Sequence, residues 1–212
     1  MKKTHLLIFF LAFLAIQSDI FCASFKPPKK SYIATIYTRL GKIELILFDN
    51  TPRHRDNFIQ LAETGFYDST TFHRVLQNFM IQGGDPNTKS DSNEKIGMGG
   101  PGYTIDAEIV EGYTHVKGML AAARKGNRIN PEKASSGSQF YIVQNAEGAH
   151  HLDGEYTIYG QVIKGIETVD AIAAEPVNRK GLPDETIRIT VKVERLKRKK
   201  IMKMYDYLFG DS

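Results

Sequence analysis

"FHRVLQNFMIQGGD", residues 72–85, carries the pattern on which the fold turns. Side chains alternate across a strand, so Phe72, Arg74 and Leu76 are expected on one face of a first strand, and Met80 and Gln82 on one face of a second. The stretch holds a guanidinium among apolar neighbours, and its only acid, Asp85, stands at the far end. Burying an unpaired guanidinium is prohibitively costly, so Arg74 must be partly exposed or hydrogen-bonded. Two readings remain open on this stretch alone. If the two faces coincide, the wall carries an apolar dish with one cation and one amide. Otherwise Arg74 pairs with a surface acid while Phe79 and Met80 belong to the core.

Working outward, "YIATIYTRLGKIELILFDN" from Tyr32 gives two alternating apolar runs joined at Leu40-Gly41, a strand pair. "TPRHRDNFIQLAETGF" reads as a helix: Thr51 at the cap, Pro52 in the first turn, Gly65 at the end, and Phe58, Leu61 and Ala62 on one face. Short strands follow at "GMLAAAR", "SQFYIVQ", "EYTIYGQVI" and "ETIRITVKVERL". Between the last two, Ile166, Val169 and Ile172 have helical spacing. Many short strands with turn signals and two helices predict a mainly β chain forming a closed antiparallel barrel. Residues 196–209 have the spacing of a short amphipathic helix, with Ile201, Met204 and Leu208 on one side.

The 212 residues suit one domain, and 42% hydrophobic with 25% charged residues is ordinary for a folded chain. Residues 1–22 have the order of a secretory signal: Lys2 and Lys3, an apolar core from Leu6 to Ile16, then a polar break at Gln17–Asp19. That core is shorter than the roughly 20 residues of a membrane span. The expectation is therefore an exported, periplasmic protein with no stable span after cleavage. Cys22, the single cysteine, leaves lipid anchoring as the alternative. Residues 23–30 read as a linker, 31–195 as the folded domain and 196–212 as a basic tail. The net charge of +4 owes much to Lys197, Arg198, Lys199, Lys200 and Lys203, which read as a solvated face; no nucleic-acid partner is expected. The glycine-rich segment after Gly83 lacks a lysine in phosphate-loop register, and the histidines lack ligand spacing, so neither a cofactor nor a metal is expected. With no obvious interface pattern, the chain is expected to be a monomer.

The 72–85 stretch strongly resembles the signature of the cyclophilin-type peptidyl-prolyl isomerases. So do "GKIELILF", "TP" and "NFIQLAETGFYD" before it, "SSGSQFYIVQ" at 135–144 and "LDGEYTIYGQVIKGIETVD" at 152–170. The resemblance runs in order through residues 32–195. It implies an eight-stranded antiparallel barrel closed by two helices, with a groove on the barrel exterior. Carried over by position, Arg74, Phe79, Met80 and Gln82 match the groove's arginine, phenylalanine, methionine and glutamine. Ala123 matches its small wall residue, Gln139 and Tyr141 a glutamine and an aromatic, and Leu152 its leucine. His151 stands where many members have tryptophan, Tyr156 where many have histidine, Arg124 for a common asparagine and Tyr141 for a common phenylalanine. Tyr156 and His151 are rim positions, and Phe72 and His73 are read as structural. The departures resemble bacterial members.

The residue types suit the reaction that the resemblance implies, with proline-containing polypeptides as partners. A peptide bond rotates over a barrier of roughly 18–20 kcal/mol, and Xaa-Pro exchange takes tens to hundreds of seconds. Bringing this to milliseconds needs about 5–7 kcal/mol. No bond breaks, so no nucleophile, metal or general base is required. The requirement is tighter binding of the twisted amide than of its planar forms. Arg74 is the expected donor to the proline nitrogen, which gains basicity as resonance is lost. Phe79, Met80, Tyr141 and Leu152 are expected to hold the ring and exclude water. Gln82 fixes the substrate carbonyl or holds Arg74, Gln139 contacts backbone, and Ala123 leaves room for the peptide.

Overall fold

A computed structural model describes residues 28–90 and 95–209. The expected signal segment and Cys22 lie outside the described residues, as does most of the 23–30 linker. Strand β1 (Lys30–Thr38) returns through a tight turn at Arg39-Leu40 into β2 (Gly41–Leu47), as the alternation predicts. Helix α1 (Pro52–Glu63) follows and buries Phe58, Leu61 and Ala62. The short strands β3 (Arg74–Leu76) and β4 (Met80–Gly83) form a hairpin, with Asn78 in the left-handed region (φ +60°) that asparagine tolerates.

The two-residue β5 (Thr104–Ile105) pairs with β7. Then come β6 (Met119–Arg124), β7 (Ser135–Val143), β8 (Ile158–Lys164), α2 (Ile166–Ala173) and β9 (Thr190–Lys197). A third helix, α3 (Arg198–Tyr205), continues directly from β9. No helix among the described residues is long and apolar enough to cross a membrane.

All pairings are antiparallel, in the order β3-β4-β7-β6-β8-β2-β1-β9 with β5 beside β7. The closed eight-stranded barrel needs correcting. Nine strands are present among the described residues, and the ladder is open between β3 and β9. The reason lies at the edge of β3. Its Val75 N–H donates to Gly181 O at 2.7 Å, so a loop and not β9 takes that edge. The segments preceding the two end strands meet at the bridge Thr71 to Arg188, where the N–H groups of Ser69 and Phe72 donate to Ile189 O and Ile187 O and that of Ile189 donates to Thr70 O, but the strands β3 and β9 themselves do not pair. Among the described residues, α1 and α2 are the two helices expected of the domain, and α3 is the short helix expected in the tail.

The sheet separates two apolar layers. Val75, Ile81, Leu120, Phe140 and Ile142 face the main core with α1 and α2 residues. Alternate positions on the same strands, Met80, Ala121, Tyr141 and Val143, form a second cluster on the other face, joined by Phe79, Leu152 and Tyr156. Each full burial of a large aliphatic or aromatic side chain is worth about 1.5–3 kcal/mol, so the face assignment is strongly determined.

Two local expectations fail. Phe72 does not share the Arg74 face: the strand begins only at Arg74, and Phe72 lies in the main core at 1% exposure. Thr51 makes no side-chain cap bond; the carboxylate of Glu108 takes the N–H groups of Arg53 (3.1 Å) and His54 (2.9 Å) instead. In α3, Ile201 is buried against Ile33 and Ile46, whereas Met204 is exposed, as is Leu208 beyond the helix end.

Candidate active site

Strand register builds the site. Arg74 pairs across with Gln82, Gln82 with Tyr141, and Tyr141 with Ala121, so four side chains from four strands stand in one row on the outer face. The neighbouring row runs Leu76, Met80, Val143. Arg74, Phe79, Met80, Gln82, Ala123, Tyr141, Leu152 and Tyr156 line a hollow of about 220 Å³, together with Arg124. Every expected site residue except Gln139 therefore lines this hollow. Gln139 stands behind it as the next link in a chain of amides.

That chain starts at Arg74. Its Nη1 donates to Gln82 Oε1 at 3.2 Å and lies 4.0 Å from Met80 Sδ. Gln82 Nε2 donates to Gln139 Oε1 at 3.0 Å. Gln139 Nε2 donates to the carbonyls of Gly97 (3.1 Å) and Gly99 (2.8 Å). The glycine-rich segment is thus a backbone anchor for the amides. Asp85 holds it in turn by accepting from the N–H of Gly99 at 3.3 Å, where a Cβ would lie 2.1 Å from Asp85 Oδ1.

The two cations in the hollow differ. The Arg124 guanidinium is held by Glu155, through its carboxylate at 3.1 Å and its carbonyl at 2.8 Å, and lies 4.4 Å above the Tyr156 ring. Arg74 has no carboxylate within ion-pair distance among the described residues. Its surroundings offer one amide oxygen and one sulfur. The bland reading, Arg74 tied to a surface acid, does not hold.

Aromatic rings shape the rest. Tyr156 meets Tyr141 edge-on at 5.9 Å, and His151 lies 5.5 Å from Phe79 at the rim. Burial pushes the Tyr141 phenol well above its ordinary range, and its hydroxyl lies 2.9 Å from His115 Nε2. His73 does not line the hollow and is buried, which keeps it neutral by lowering its pKa. A second hollow of about 810 Å³ adjoins the first, sharing Gln82, Ala123 and Arg124 and extending past Gly97, Met98, Tyr103 and Ile129. A separate hollow of about 680 Å³ is lined by Tyr32, Asp49, Arg55 and Arg198 among others, and there Asp49 bonds both Arg55 and Arg198.

Sequence reasoning missed the pairing of Arg124, the role of Gly97 and Gly99, and His115. No local pattern marks them, because their partners lie tens of residues away. Among the described residues no cluster of three or more His, Cys, Asp or Glu side chains is placed to hold a metal.

The family model described as cyclophilin type peptidyl-prolyl cis-trans isomerase/CLD matches residues 33–193. The chain belongs to the cyclophilin family. A relative in Rhizopus delemar, peptidyl-prolyl cis-trans isomerase-like 2, is 40% identical over 77% of this chain, which spans only 29% of that protein's length. In Arabidopsis thaliana, peptidyl-prolyl cis-trans isomerase CYP18-1 is 36% identical, covering 73% of this chain and 91% of its own. The crystal structure of a Cryptosporidium parvum cyclophilin-type isomerase superposes with a TM-score of 0.68 at 30% identity, covering 77% of this chain and 98% of that one. The same protein has been solved in the presence of the dipeptide Ala-Pro, with a TM-score of 0.67 to this chain.

Proposed function

We propose that the 220 Å³ hollow binds Xaa-Pro segments of polypeptides and speeds their cis-trans exchange by stabilising the twisted amide. The observation that carries this is the state of Arg74: a guanidinium oriented by Gln82, bordered by Met80, and without a carboxylate among the described residues. Such a donor meets the proline nitrogen fully only when resonance is lost, so it strengthens in the transition state and not in the planar forms. One preorganised donor in a water-poor site supplies about 3–4 kcal/mol of the roughly 5–7 needed. The apolar walls supply the rest by seating the pyrrolidine ring and excluding the water that favours the more dipolar planar amide.

The Ala-Pro dipeptide present with the Cryptosporidium relative supports this substrate class. The adjoining hollow supports a substrate longer than a dipeptide, continuing past Ala123. Residues 1–22, with their basic start and apolar run, support export and hence newly exported polypeptides as substrates.

The test is the exchange rate of a short Xaa-Pro peptide with purified protein. The wild-type chain is expected to speed it. Arg74→Ala is expected to lose about 10²–10³ in kcat/KM, the loss found for a single preorganised donor. An Arg74→Ala protein with full activity would refute the assignment. A groove that only grips proline segments would instead let this variant replace the wild type in a deletion strain.

A further inference from the structure

The floor of the hollow has a support that twisting the amide does not itself require. Tyr141 is 4% exposed and His115 is fully buried. Their rings are nearly parallel, 11° apart, with the phenol oxygen 2.9 Å from His115 Nε2. On the far side, Asp153 Oδ1 accepts from the His115 backbone N–H at 2.7 Å and lies 2.8 Å from Nδ1. Its other oxygen lies 2.9 Å from His150 Nδ1. Although burial opposes it, hydrogen bonds from His115 and His150 hold the Asp153 carboxyl below its usual range.

An ionised carboxylate only accepts, so the His115 proton sits on Nδ1. Burial keeps His115 neutral by lowering its pKa from 6.5. In a neutral imidazole protonated at Nδ1, Nε2 is a bare acceptor, and the Tyr141 hydroxyl donates to it.

We propose that His115 is a positioning residue of the isomerase site: fixed in one tautomer by Asp153, it anchors the Tyr141 hydroxyl from behind and sets the ring on which the substrate proline rests. This rests on the reading of the hollow given above. Tyr141 stands in the same row as Gln82 and meets Tyr156 edge-on, so a shift of its ring alters both the floor and the wall. The groups facing the pair are Asp153, His150, His151 and Tyr156, with the Arg124 guanidinium over the Tyr156 ring. If His115 gains a proton, both its ring nitrogens become donors. The Tyr141 oxygen must then accept, its own proton loses its acceptor, and the contact reverses.

The experiment measures kcat and KM on an Xaa-Pro peptide for the wild type, His115→Phe, Tyr141→Phe and the double variant, with pH profiles from 5 to 8 for the first and third. His115→Phe is expected to lower kcat/KM about three- to tenfold in the wild type, the worth of roughly one net hydrogen bond. It is expected to change kcat/KM less than about twofold once Tyr141 has lost its hydroxyl, because contacting residues do not act additively. Because burial lowers the His115 pKa, wild-type activity should fall on an acid limb displaced below the ordinary histidine value of 6.5, and Tyr141→Phe should lack that limb. Equal effects in both backgrounds, or an acid limb that survives in Tyr141→Phe, overturn the inference and leave the isomerase reading intact. An inactive wild-type chain would remove that reading and the inference with it. If His115→Phe does not fold, the two pH profiles decide.

Discussion

Replacing Gln82 by leucine should separate orientation of Arg74 from mere attraction of substrate. The change keeps the side-chain volume and removes two bonds: the one accepted from Arg74 Nη1 at 3.2 Å and the one donated to Gln139 Oε1 at 3.0 Å. A hydrogen bond to a charged group contributes about 1.5–3 kcal/mol. If Arg74 needs that bond to face the twisted amide, the same amount is lost from the barrier reduction. At about 1.4 kcal/mol per decade this is roughly a 10- to 150-fold fall in kcat/KM. The loss should appear in kcat with KM within about twofold, because the planar substrate uses the oriented donor little. Stability should suffer modestly. Gln82 is only half-buried, and the Gln139 oxygen left unpaired costs about 1–3 kcal/mol, a fall of several degrees in Tm for a domain of this size. Peptide exchange kinetics at saturating and sub-saturating substrate, with a thermal melt beside them, check both parts. A kcat/KM within about threefold of the wild type, or a loss confined to KM, would show that Gln82 does not orient Arg74.

Three other outcomes are expected. His54, His73 and His115 are each held below the ordinary histidine pKa chiefly by burial, so the unfolded chain binds more protons as pH falls. Stability should therefore be full above 6.5 and decline below it, by up to about 1.4 kcal/mol per pH unit for each histidine that stays neutral; a melting temperature flat from pH 7 to 5 would contradict this. Glu108→Ala should cost about 2–4 kcal/mol in denaturant unfolding, since it frees two N–H groups at the start of α1 and leaves buried His54 without its carboxylate partner. Ile201→Ala should cost about 2–4 kcal/mol by opening a cavity beside Ile33 and Ile46, while Met204→Ala, on an exposed side chain, should change stability by less than about 0.5 kcal/mol.

Much of the site was legible in residues 72–85. Alternation placed Arg74 and Leu76 together, and Met80 with Gln82, because strand faces follow from a two-residue period that needs no partner. The same alternation failed at Phe72, where it was extended past the true start of the strand. The hydrophobic spacing of α1 and α2 was visible for the same local reason. Thr51 is the N-cap of α1 as its residue type suggests, but its side chain makes no capping bond because the distant Glu108 carboxylate takes the Arg53 and His54 N–H groups.

What the sequence determined by itself was most of the strands, the helices α1 and α2, the shared faces of Arg74 with Leu76 and of Met80 with Gln82, and the residue types suited to holding a twisted proline amide. Only the tertiary structure decided that Arg74, Gln82, Tyr141 and Ala121 stand in one row, that Glu155 takes Arg124 while Arg74 has no acid partner among the described residues, and that the ladder stops at β3 instead of closing. The physical reason is range. Periodicity is written within a few neighbouring residues, whereas register, ion pairing and edge coverage depend on which distant segments meet, and that is settled only when the whole sheet folds around its core.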